Sequence, residues 1–164
     1  MNRGRFGNSK AAAHVARIPE SGLESGGDPL TTRCKFNFAY FCKDDNAGQA
    51  FSELSQAELC DLLEKLHGFS KESLMHWRKQ KHGKGSTLSV YGAFPKKTRF
   101  RLPKHVPHDV EWGRFRIDGA GRLVGFVVPG ALHEKRHETT GLAFDGNTFY
   151  VVFLDRDHEF WNAG

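Results

Sequence analysis

EWGRFRIDGAGRLVGFVVPG, residues 111–130, and NTFYVVFLDRDHEFW, residues 147–161, decide the fold. Together they hold three runs of β-branched, aromatic and aliphatic residues, each bounded by turn residues. Residues 112–117 alternate: Phe115 and Ile117 fall on one face, and Trp112, Arg114 and Arg116 fall on the other. Asp118-Gly119 is a hairpin signal. Residues 122–128 and 148–154 are more uniformly apolar, which suits central strands buried on both faces. A strand face carrying two arginines, and a charged tail (Asp155, Arg156, Asp157, His158, Glu159) where the last strand ends, point to a site at the sheet.

Working outward, 164 residues suit one domain with a real core. Residues 1–32 are rich in Gly, Ser, Ala, Arg and Pro, bury little, and read as a flexible basic arm with Arg3, Arg5 and Lys10 near its start. The folded part is read as 33–164. Residues 33–42 alternate as a strand with Cys34, Phe36, Phe38 and Tyr40 on one side. Ser55 and Glu58 form a capping box for a helix whose stripe is Leu59, Leu62, Leu63 and Leu66, with Gly68 as its stop. Ser70 reads as the N-cap of a second helix burying Leu74 and Trp77. The short link implies an antiparallel helical hairpin over residues 56–80. Residues 87–94 read as a short edge strand, and 95–110, with three prolines, as a loop.

The whole-chain charge is modest, with 24 basic and 19 acidic residues, but it is segregated. From Lys71 to His105 ten Lys and Arg face one acid, whereas Lys43 to Lys65 has six acids against two bases. Such segregation favours a phosphate backbone as partner through Lys96, Lys97, Arg99, Arg101 and Lys104. Three irregularly spaced cysteines argue against a disulfide framework and for a reducing, cytoplasmic setting. No secretory h-region or membrane-spanning run is read, so no membrane partner is expected. The polar insert 129–146 contains His133-Glu-Lys-Arg-His137, which matches H-E-x-x-H in form. That motif needs both histidines on one helix face, and the intervening cations oppose a Zn²⁺. No metal and no cofactor are therefore expected.

The order strand, helix, helix, basic loop and three antiparallel strands, with KHVPHDVEWGRFRIDGAGRLVGFV at residues 104–127 and the terminal Asp157-His158, resembles the RelE/ParE superfamily of bacterial type II toxins. The closest echo is the Lys-His, Trp-bearing strand, turn and Arg-Leu-Val strand of YoeB-type toxins. The resemblance covers roughly residues 33–161. It implies an α+β fold: a small twisted antiparallel sheet with an N-terminal helical hairpin packed on one face. It also implies a toxin held by an acidic antitoxin protein and acting on RNA, with or without the ribosome, as a metal-independent endoribonuclease. Such enzymes cleave by attack of a ribose 2′-hydroxyl on the adjacent phosphate. Carried onto this chain, the resemblance makes Arg122 the phosphate-binding arginine and His158 the general acid. Glu111 or His105 is then the candidate base, and Arg116, Arg114 and Lys104 position the backbone. The residue after His158 is Glu159 where that branch often has an aromatic; Phe160 or Trp161 would then stack on a base. Two other readings stay open: a non-catalytic protein of the same fold that binds a protein target, as the gyrase-directed branch does, or nucleic acid; and a zinc enzyme using His133 and His137.

Overall fold

The structure is a computed structural model that describes residues 9–18, 22–24, 30–44 and 46–161. It divides into two compact units, Met1–Thr31 and Thr32–Gly164. In the first, helix α1 spans Ser9–Val15 with no buried residue. Lys10 lies in it; Arg3 and Arg5 lie outside the described residues.

The second unit runs β1 (Lys35–Asn37), α2 (Gln56–Phe69), α3 (Leu74–Lys79), β2 (Lys81–His82), β3 (Gly85–Ser86), β4 (Leu88–Gly92), β5 (Glu111–Arg116), β6 (Arg122–Val127) and β7 (Thr148–Asp155). Strands β2 and β3 make a small separate hairpin. The other five form one sheet in the order β1-β7-β6-β5-β4. Strands β4 to β7 pair antiparallel, but β1 pairs parallel to β7, with Phe36 opposite Phe149.

The sheet is therefore mixed, and an antiparallel sheet carrying a helical hairpin is not what this chain forms. β1 reaches β7 from more than a hundred residues away, through Lys35 N–H donating to Asn147 O, and no local turn dictates its direction. The second helix is only six residues long and leads straight into β2. The predicted strand 33–42 shrinks to three residues because the Asn37 side chain accepts from Ala39 N–H and turns the backbone. Cys34 and Phe36 consequently pack on one side of the sheet and Tyr40 on the other.

Helix α2 starts at the Ser55/Glu58 capping box, each side chain bonding the other's backbone N–H. It runs through Gly68, ends at Phe69 and is closed by Ser70. Ser73, not Ser70, caps α3. Only part of the leucine stripe faces inward. Leu62 and Phe69 are buried and Leu66 packs against the core, while Leu59 and Leu63 are exposed.

The core has two halves. One joins Leu62, Phe69 and Leu74 of the helical segment to Leu88, Phe115, Leu123, Phe149 and Val151 of the sheet. The other lies on the opposite face: Trp112, Val124, Phe126 and Phe153 are covered by Phe100 and Val106 of the 93–110 loop and by Phe160 of the tail. This second cover explains why β6 is buried along its whole length.

One irregularity fixes which face the end of β7 presents. Val124 pairs with Phe153 but Gly125 pairs with Val151, so Val152 is an extra residue. Phe149 and Val151 belong to the helical-side core, Val152 and Phe153 both to the other, and Leu154 to the first again. Strict alternation from Val151 would put Asp155 on the helical side; the bulge moves it to the face of Arg122 and Val124. Gly125 permits this, because a Cβ there would lie 2.0 Å from Tyr150 O.

Gly125→Ala should therefore destabilise the protein by about 1–3 kcal/mol or more, the cost of overpacking a rigid core. Gly119→Ala, where a Cβ meets nothing within 4 Å, should change stability by less than about 0.5 kcal/mol. Urea midpoints of the two variants decide it; equal midpoints would refute the close approach at the bulge.

Candidate phosphate-binding site

The site lies on the sheet face away from the helices, at the end of β5, β6 and β7 next to the Asp118-Gly119 turn. Cross-strand register sets its floor. Arg116 pairs with Arg122, and Arg122 pairs with Asp155. One layer in, Arg114 lies between Ser89 and Val124.

Arg122 is 2 % exposed and opens an otherwise apolar strand. A buried cation needs compensation. Here it comes from backbone: the guanidinium donates to Gly121 O at 2.7 Å, Asp118 O at 3.1 Å and Gly119 O at 3.3 Å. The Asp118 carboxylate shapes that turn by accepting from Ala120 N–H and Gly121 N–H. Among the described residues Arg122 makes no ion pair, and its Nε is buried without a hydrogen-bond partner. Burial first, then the neighbouring Arg116 and Arg114, lower its pKa to about 10. The site is short of negative charge.

Asp155 is fully buried but does not discharge that deficit. Its two carboxylate oxygens accept from Glu159 N–H and Phe160 N–H, both at 3.0 Å. These bonds fold the tail back over the sheet end, with His158 in the left-handed region at φ 59°. The turn brings His158 Nε2 to 2.6 Å from the Arg114 guanidinium. A guanidinium can only donate, so Nε2 accepts and the imidazole is neutral, its proton on Nδ1. Burial, then Arg114 and Arg122, hold the His158 pKa below its ordinary value; Asp155 opposes them.

Aromatic rings complete the site. The Arg114 guanidinium sits over the Tyr91 ring, 5.6 Å from its centroid. Trp161 stacks on Tyr91 at 4.1 Å with the planes 4° apart. Burial pushes the Tyr91 phenol up against the pull of Arg114.

The sequence-derived candidates divide. Arg114, Arg116, Arg122 and His158 come together here. Glu111 and His105 do not. Glu111 is at the far end of β5, about 17 Å from Arg116 by strand rise, opposite Val127. His105 contacts Tyr40 O at 3.0 Å and stacks on the Tyr40 ring. Phe160 is fully buried and cannot stack on a ligand, whereas Trp161 is partly exposed.

The basic loop is tied to the tail. Arg99 pairs with the Glu159 carboxylate, Thr98 Oγ1 donates to Glu159 O, and Asp44 accepts from Arg101 N–H. Lys96, Lys97, Arg101 and Lys104 are exposed and make no ion pair among the described residues. Tyr91 is not among the sequence-derived candidates, and Asp155 is among them only as part of the charged tail. The only signals for them are an edge-strand position and an acid ending an apolar run.

The H-E-x-x-H reading fails on backbone geometry. Residues 133–137 are not helical. His133 Nδ1 accepts from Gly146 N–H, His137 Nδ1 accepts from Thr140 N–H, and Arg136 bridges to Ala143. Among the described residues no group of three or more His, Cys, Asp or Glu could hold a metal ion. Nor, among them, is any helix long and apolar enough to cross a membrane.

Comparison with family models, with curated proteins and with solved structures finds no match for this chain.

In an NMR titration His158 should turn over below the ordinary value of about 6.5. Arg114→Met should raise that midpoint. The sign for stability follows: with a depressed folded pKa, the unfolded chain binds the proton first as pH falls. This group's contribution is present above about 6.5 and is lost as pH drops through the folded pKa. A His158 midpoint above 6.5, or one indifferent to Arg114→Met, would contradict the contact.

Proposed function

We propose that the Arg114/Arg116/Arg122/His158 cluster is a phosphodiester site and that the chain is an RNA endonuclease, the toxin of a toxin–antitoxin pair, as the RelE/ParE resemblance of residues 104–127 implies. The observation that carries the reading is the Arg114–His158 contact within a cationic cluster whose one buried carboxylate is already engaged by backbone. Three arginines and a neutral imidazole are what in-line attack of a 2′-hydroxyl on its own phosphate requires: fixed positive charge for the equatorial oxygens and a proton carrier within reach.

The geometry supports a division of labour among these residues. Arg122, caged by three carbonyls, is immobile and serves as the preorganised cation. Arg114 is half-buried and held by a histidine and an aromatic ring, so an arriving phosphate can draw it away. Its departure frees His158 Nε2 to accept the 2′-hydroxyl proton. The 2′-oxygen forms its bond to phosphorus, the bond to the 5′-oxygen breaks, and His158 returns a proton to that oxygen. The products are a 2′,3′-cyclic phosphate and a 5′-hydroxyl. Glu111 and His105 are too distant to act as base at the same phosphate. The exposed Lys96, Lys97, Arg101 and Lys104 extend the cationic track along the backbone. An acidic antitoxin would be attracted to the same charges.

Cleavage of end-labelled RNA by the purified chain, with and without ribosomes, tests this. Arg122→Ala should abolish most cleavage while circular dichroism stays native, and His158→Gln should cost about 10²–10⁴-fold. A 2′-deoxy substitution at the cut site should block cleavage in wild type. Undiminished cleavage of the deoxy substrate would overturn the mechanism. Growth arrest without RNA cleavage would replace it with binding of a protein target.

A further inference from the structure

The same sheet face carries a concavity at the opposite end from the arginines. Phe126 is its inner wall, four residues along β6 from Arg122 and about 13 Å away by strand rise. The cleft has a volume of about 430 Å³ and is lined by Tyr40, Phe126 and Tyr150 from the sheet side and by Leu132, His137 and Phe144 from the 129–146 insert. Its aromatic walls are ordered. Phe126 and Tyr150 stack at 4.9 Å with the planes 7° apart, and Tyr40 stands edge-on to both, at 5.1 Å and 5.9 Å. A flat ring system entering here is lined by aromatic side chains from both the sheet side and the insert, and the volume is that of a small-ligand pocket.

Two polar groups at this cleft distinguish what the ring must be. Asp109 lines it, is exposed, and makes no ion pair among the described residues. A carboxylate only accepts hydrogen bonds. His137 also lines it. Its Nδ1 already accepts from Thr140 N–H at 3.2 Å, so the neutral ring carries its proton on Nε2 and offers a donor. A donor and a carboxylate that can accept twice, both on the lining of one cleft, match in kind guanine's Watson–Crick edge, with its O6 acceptor and its N1–H and N2–H donors. Adenine and cytosine offer only the exocyclic amine beside an unprotonated ring nitrogen, which the carboxylate repels. Uracil offers a single N–H between two carbonyls.

We infer that this cleft is a guanine-binding pocket, which captures a base of the RNA strand a short way along from the phosphate held by the arginines. The inference rests on the ribonuclease reading for its biological ligand. Exposed His105 stacks on Tyr40 at the rim of the cleft. Stacking supplies affinity without base preference. Asp109 and His137 supply the preference, and the insert is what builds the outer wall.

The test uses nucleosides, which carry no phosphate and so bypass the arginines. The full chain is titrated with guanosine, adenosine, cytidine and uridine while amide shifts are followed by NMR. Guanosine should bind at least about tenfold more tightly than the others, the discrimination one bidentate contact gives. Its shifts should centre on residues 126–150. Asp109→Asn, at an exposed position that leaves the fold intact, should erase the preference, and His137→Ala should weaken it. Equal binding of the four nucleosides, or a guanosine preference unmoved by Asp109→Asn, overturns the pocket. The two readings separate cleanly. RNA cleavage with no guanosine selectivity sinks the pocket alone, and guanosine selectivity with no cleavage of any RNA sinks the ribonuclease reading while the pocket stands.

Discussion

The bulge at Val152 is the constraint on which the site depends. A β-strand alternates its side chains without exception unless a residue is inserted. Phe149 and Val151 face the helices, so an unbroken β7 would send Asp155 there too, into an apolar layer containing Phe69 and Phe115. The extra residue brings Asp155 to the opposite face, across from Arg122. Everything beyond follows from that placement. The buried carboxylate takes Glu159 N–H and Phe160 N–H, the tail turns, Phe160 enters the core, and His158 arrives at Arg114. The left-handed φ of His158 is a local cost that the two carboxylate bonds and the Phe160 anchor over-determine.

The cationic cluster is held together by backbone rather than by counter-charges. Three arginines share one sheet end with Asp155 and with Asp118 of the turn, and both carboxylates accept from backbone amides. Carbonyl dipoles of the 118–121 turn keep Arg122 in place without neutralising it. The lowered pKa values of Arg122, Arg114 and His158 all express the same unmet demand for an anion, with burial as their leading cause.

The two covers of the sheet differ in kind, and the difference sets where a ligand can enter. The helical segment covers one face with Leu62, Phe69 and Leu74. The other is covered by irregular chain: a proline-bearing loop anchored by Asp44 and Glu159, the tail, and the 129–146 insert. Irregular segments leave gaps between their anchors, and the aromatic cleft and the cationic cluster both lie on that side.

Sequence alone determined the elements whose signals are local. Alternation between Phe115 and Ile117, the Asp118-Gly119 turn, the apolar runs of β6 and β7 and the Ser55/Glu58 box are all read within a few residues, because pleat period, turn chemistry and capping act over that range. It marked Arg114, Arg116, Arg122 and His158 because charge at the edge of an apolar strand demands an explanation. It did not reach the parallel pairing of β1, which joins residues 35–37 to 148–150 with no turn between to set direction. Nor did it reach the inward set of α2: five hydrophobic positions were available, and only packing against the sheet chose Leu62, Leu66 and Phe69. The resemblance offered Glu111 or His105 as the base, but the extended β5 carries Glu111 away from Arg116 at about 3.3 Å per residue, and His105 stacks on Tyr40. The single inserted residue in β7 has no signature in a run of Val, Val, Phe and Leu. Only the register against Gly125 and the weight of Phe153 on the far core decided it.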